Sequence, residues 1–163
     1  TEAIPARVFA LYKIVTSKKN ISRLALQGLM EPKEIYEGTS YFSTILKTAI
    51  ELKLVDVQDN YVTAIVPEEK LKTIEDLRMY IISKLDNYEE EQFYKCTNAI
   101  VNLDEKIYKY RSISDNEMLN YLSQKSNQQI TAPMAEDGDS WAQFLGFGYI
   151  EWFCFSSKCL YFC

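Results

Sequence analysis

The chain contains no histidine. That absence removes Ser/His/Asp triads, Cys/His nucleophile pairs and every zinc site with an imidazole ligand. Glycine and proline are scarce, five and four in 163 residues, which disfavours a turn-rich all-β fold. The glycines stand apart at 28, 38, 138, 146 and 148, so there is no glycine-rich loop to cradle phosphates and no motif for nucleotide hydrolysis. No run reaches the length of about eighteen apolar residues that a membrane-spanning helix needs. Residues Thr1 to Pro5 lack the basic and apolar sections of a signal peptide, and the chain opens without Met, which leaves its true beginning open. There is also no CxxC. Three of the four cysteines, Cys154, Cys159 and Cys163, crowd into the last ten residues, far from Cys96. This is unlike an evenly spread disulfide framework, and a structural zinc would need Cys96 as a remote fourth ligand. Aromatic-rich core packing and a reducing cytoplasm are therefore the expectation.

Carboxylates offer no better lead to an enzyme. Glu89-Glu90-Glu91 reads as a solvated helix start. Glu136-Asp137-Gly138-Asp139 lacks the ligand alternation of a calcium loop. Asn20-Ile21-Ser22 has a glycosylation pattern that is idle in a cytoplasmic protein. The expectation is a non-enzyme with no metal and no cofactor.

What is present is a chain with 47% hydrophobic residues, 12 Tyr and 8 Phe, suited to helices with an aromatic-rich core. The net charge of −5 is uneven. Residues 1–66 hold eight Lys/Arg against seven Asp/Glu, and residues 67–163 hold ten against sixteen. Any nucleic-acid-binding surface belongs in the first portion.

Periodicity predicts a first helix over 5–17, with Pro5 in the first turn and Val8, Leu11, Tyr12 and Val15 on one face. "IS" at 21–22 reads as a short extended step. A second helix runs from Ser22 to near Glu31-Pro32, where proline disfavours further helix. A third helix follows Thr39 or Ser40, either of which can cap it. Its buried stripe is Phe42, Ile45, Leu46, Ala49, Ile50 and Leu52 or Leu54, with Ser43, Thr44, Lys47, Thr48 and Glu51 facing away. "LVDVQDNYVTAIV" then alternates around Gln58-Asp59-Asn60 as a hairpin.

This order of helix, short strand, helix, turn, helix and hairpin over residues 5–66, about two fifths of the chain, resembles the winged helix-turn-helix family. "EGTSYFSTILKTAIELKLVDVQDNYVTAI" at 37–65 carries the resemblance. The stretches "ALYKIV", "ISRLAL" and "LM" are similar to proteins encoded in bacterial DNA-modification and defence clusters. The resemblance implies a mainly α domain at 1–66 with a small β-hairpin wing. It implies double-stranded DNA as partner, with the helix at 40–53 in the major groove, as in a transcriptional regulator or a DNA-associated component of such a cluster. Ser40, Ser43, Thr44, Lys47 and Thr48 are the base-edge candidates, and Lys18, Lys19 and Arg23 the phosphate candidates. The acidic wing tip at Asp59 departs from a strong DNA binder. The alternative is a protein–protein adaptor on the same scaffold, without DNA.

Residues 67–163 read as a helical extension with a short aromatic β-rich end, suited to a homodimer or a protein partner. Leu71, Ile74, Leu77, Ile81 and Leu85 share one face, and Phe93, Cys96, Ile100, Leu103 and Ile107 another. Such helices could equally pack back on the first helix. Ser114 with Glu117 forms a capping-box pattern. "KSNQQITAPMAEDGDS" reads as a polar loop. "SWAQFLGFGYI" reads as a helix, a stop at Gly146 and a strand, echoing the third helix and its strand, and so as the start of an incomplete second winged module. "WFCFSSKCLYFC" is either a hairpin turning at Ser156-Ser157-Lys158 or a tail foreign to the fold.

Overall fold

The computed structural model describes residues 4–31, 41–101, 113–146, 149–152 and 157–161. The chain divides into two compact units, Thr1–Lys84 and Leu85–Cys163. Among the described residues it is mainly helical, with two small antiparallel sheets of three strands each.

The first unit begins with α1 (Ile4–Lys18), which buries Val8, Leu11, Tyr12 and Val15, the stripe that the 3.6-residue period sets. Lys19 ends it at φ 64°, and β1 (Ile21–Ser22) follows. Ser22 caps α2 (Arg23–Met30), its Oγ accepting the Ala25 N–H at 3.1 Å. The third helix, α3 (Phe42–Glu51), has Tyr41 as its N-cap residue, with no capping side chain of its own. Thr39 and Ser40, the expected caps, lie outside the described residues. At the other end Lys53 takes φ 60°, while its N–H donates to Ile50 O and the Leu54 N–H to Ala49 O. These are the paired bonds of a Schellman motif. The chain is turned straight into the hairpin of β2 (Val55–Gln58) and β3 (Tyr61–Ala64).

The hairpin turn is Asp59-Asn60, with φ 51° and 63°. Both central residues are left-handed, the geometry of a type I′ turn, whose twist matches that of the strands. β1 pairs with β3, giving the order β1-β3-β2. Ile21, Val55 and Val62 point into the core, while Tyr61 and Gln58 point out.

α4 (Ile74–Ser83) falls within the first unit, so the division lies after Lys84 and not after residue 66. Two long-range bonds tie the chain after the hairpin to α1. The buried Tyr12 hydroxyl donates to Val66 O at 2.7 Å, and Lys13 Nζ pairs with Glu68 Oε1 at 3.2 Å. Burial, then the carboxylates of Glu68 and Glu69, push the Tyr12 hydroxyl up to about 12. Of the expected stripe, Leu71, Leu77 and Ile81 are buried and Ile74 is exposed. A capping box starts α4. Thr73 Oγ1 accepts the Asp76 N–H, and the Asp76 carboxylate accepts the Thr73 N–H. The Asp76 carboxyl is lowered chiefly by that Thr73 N–H.

The second unit holds α5 (Gln92–Val101), β4 (Ile113–Ser114), α6 (Asp115–Ser126), α7 (Ala132–Leu145), β5 (Tyr149–Trp152) and β6 (Ser157–Tyr161). Its strand order is β4-β6-β5. Among the described residues, helix, short strand, helix, helix, strand, strand, with the third strand central, repeats the order from α1 to β3. The described elements of this unit thus include a helix, a short strand and a second helix ahead of the helix and strand that the sequence suggested. The segment expected as a polar loop is mostly helix, its first two residues ending α6 and its last nine opening α7. Pro133 suits the first turn of α7, and Ala135, Gly138, Asp139 and Ala142 form a buried stripe on this helix, which packs against α5. Trp141 lies tilted against Phe93 with ring centroids 5.6 Å apart, and Phe93 meets Tyr88 edge-on at 5.4 Å. Gly146 ends α7 at φ 82°. β5 and β6 pair antiparallel, so the tail is a hairpin. Ser157 and Lys158, expected in its turn, lie inside β6, and Ser156 lies outside the described residues. The side chains of Ile100, Leu103, Ile107, Ser114, Cys154, Cys159 and Cys163 lie outside those described.

Candidate nucleic-acid interface

α3 is seated by Phe42, Ile45, Leu46 and Ala49, all buried, and packs on α1. Its outward face consists of Ser43, Lys47 and Ile50, flanked by the half-buried Thr44 and Glu51. Two expected positions change sides. Thr48, a base-edge candidate, is only 7% exposed, and its hydroxyl donates to Thr44 O at 2.9 Å. Ile50, expected in the stripe, is 36% exposed. Leu52 and Leu54 are both fully buried, and the two together fill the end of the core where Ile50 was expected. Ser40 lies outside the described residues. The Lys47 ammonium stands 4.0 Å from the Glu51 carboxylate, one turn on. The Lys47 side chain is largely exposed, whereas that of Glu51 is mostly covered by the fold.

Lys18, Lys19 and Arg23 are exposed around β1. The Arg23 N–H donates to Asn60 O at 2.7 Å, which fixes the start of α2 beside the hairpin turn. Arg23 therefore stands beside the hairpin turn and the exposed Asp59, whereas Lys18 and Lys19 precede β1 at the end whose register with β3 runs away from that turn, and Lys47 rides on α3.

Three residues of the site escaped sequence reasoning. Glu31, the C-cap of α2, sends its carboxylate to the start of α3. Oε1 accepts the Phe42 N–H at 2.8 Å, and Oε2 accepts from Gln27 Nε2 at 3.1 Å. A capping oxygen eleven residues upstream leaves no local pattern. Arg7 of α1 places its guanidinium 5.6 Å from the centroid of the Tyr41 ring, where α3 begins. Only the packing of α1 on α3 brings these two together.

The corresponding helix of the second unit differs in charge. α7 carries no Lys or Arg, and Glu136 and Gln143 are exposed on it. Asp137 is half-buried, and its carboxyl is pushed up to about 6 by burial and then by Glu136. Asp139 is buried and accepts from Gln143 Nε2 at 3.0 Å. Buried Cys96 donates to Met134 O, and burial pushes its thiol up to about 12, the state of an inert thiol. Among the described residues no group of three Cys, Asp or Glu could hold a metal ion, and no helix is long and apolar enough to cross a membrane.

Comparison with protein families, curated proteins and solved structures gives no match for this chain.

Proposed function

We propose that the first unit is a winged helix-turn-helix module that binds double-stranded DNA by setting α3 in the major groove. The observation that carries this reading is α3 itself. One side is sunk in the core, Ser43 and Lys47 are exposed on the other, and a tight hairpin follows in a sheet of order β1-β3-β2. Ser43 and Thr44 are of the right type to meet base edges. Lys18, Lys19, Arg23 and Lys47 would fix the helix on phosphates. Four such contacts give a salt slope of about −3 to −4 on logarithmic axes. The protein would then serve as a transcriptional regulator or a DNA-associated component of a modification or defence system, with residues 67–163 free to engage a second copy or another protein.

The test is titration of the full chain against a mixed-sequence duplex at about 50 mM and about 200 mM salt. Lys47→Glu and the double change Lys18→Glu/Lys19→Glu should each weaken binding and flatten the slope. Absence of binding at the lower salt overturns the reading.

A specific observation favours an adaptor as the second reading. Leu24 and Leu29 on α2 are 80% and 55% exposed, and Ile50 shares the outward face of α3. If Leu24→Ser abolishes capture of a protein partner while the duplex is ignored, the adaptor stands.

A further inference from the structure

Arg7 is half-buried, and among the described residues its guanidinium makes no ion pair. The ring beneath it belongs to Tyr41, which is 41% exposed and forms the N-cap of α3. A guanidinium resting on an aromatic face is held in one plane, with its N–H edges turned outward. That is the preorganised fork that grips a phosphate through two bonds at once. The helix backbone has less to offer at this point, because Glu31 already takes the Phe42 N–H. An anion reaching this end of α3 is therefore best met by a side chain.

We propose that Arg7 is a phosphate clamp for nucleic acid at the N-terminal end of α3, with Tyr41 as its positioning residue. The proposal rests on the DNA-binding reading of the first unit and adds to it a contact from α1. Arg7 grips the backbone and reads no base, so its contribution is the same for every sequence.

The experiment is the same duplex titration of the full chain over a series of salt concentrations, with thermal unfolding of each variant as a check on folding. Arg7→Ala should weaken binding about tenfold at ~50 mM salt and make the slope shallower by about 0.9, the signature of one lost phosphate contact. The loss should be equal on two duplexes of unrelated sequence. Arg7→Lys should keep the slope while losing part of the affinity. Tyr41→Phe should bind like the unaltered chain and Tyr41→Leu should bind more weakly. If Arg7→Ala keeps the full slope while Lys47→Glu flattens it, the clamp is overturned and the DNA-binding reading stands. If the unaltered chain does not bind, both fall.

Discussion

The Glu31 carboxylate caps a helix to which it does not belong. It accepts the Phe42 N–H at 2.8 Å and so joins the end of α2 to the start of α3. Gln27 steadies it from within α2 at 3.1 Å. One side chain thus satisfies an orphan helix donor and sets where the outward face of α3 begins. Glu31→Ala should cost about 1–2 kcal/mol in urea unfolding, and Glu31→Gln should cost less, because an amide oxygen can still accept.

The Tyr12 hydroxyl donates to Val66 O in the core. Tyr12→Phe should cost about 1–2 kcal/mol, since it leaves a buried carbonyl unpaired. The pH dependence has a fixed sign. An unfolded tyrosine loses its proton near 10, while in the fold Tyr12 holds it until about 12. The stabilisation is complete below pH 10 and is lost as pH rises through about 12. The difference in unfolding free energy between the unaltered chain and Tyr12→Phe should shrink over that window.

Asp137 titrates in the opposite region. Its carboxyl is raised to about 6 in the fold, against an ordinary value of 3.8. The fold therefore favours the protonated form. That advantage is present at pH below 3.8 and is lost as pH rises through about 6, so ionised Asp137 destabilises the second unit at neutral pH. Asp137→Asn should raise the melting temperature at pH 7.5 and change it little at pH 4. Equal effects at both pH values would mean that the carboxyl is not desolvated.

Lys53 occupies a left-handed position at the end of α3, which a side chain tolerates poorly. Lys53→Gly should stabilise the chain by about 0.5–1 kcal/mol, provided the Schellman bonds to Ala49 and Ile50 are kept. A hydrogen-exchange measurement should find the Leu54 amide at least as protected as before.

The type I′ turn makes a similar demand. Asn60 stands where glycine is best suited, so Asn60→Gly should stabilise the hairpin and Asn60→Val should destabilise it by about 1 kcal/mol or more. Chemical unfolding followed by circular dichroism separates the two.

The amino-acid order by itself determined α1, the two-residue strand after it, the Ser22 cap, the third helix, the hairpin and the stop at Gly146. These follow from apolar spacing near 3.6 or 2 and from capping and turn residues, whose physics is local. Only the tertiary structure decided which way α3 is rolled. The apolar positions of its sequence place Ile50 in the stripe together with Leu52 or Leu54. Packing chose the leucines, turning Ile50 out and Thr48 in. Only the tertiary structure placed Glu31 on Phe42 and Arg7 on Tyr41, because those pairs are separated by eleven and thirty-four positions and leave no periodic signal. The helix at 132–145 was half hidden for the same reason. Gly138, Asp137 and Asp139 have poor intrinsic helix propensity, and the burial of its stripe in a helix packed against α5 offsets that deficit.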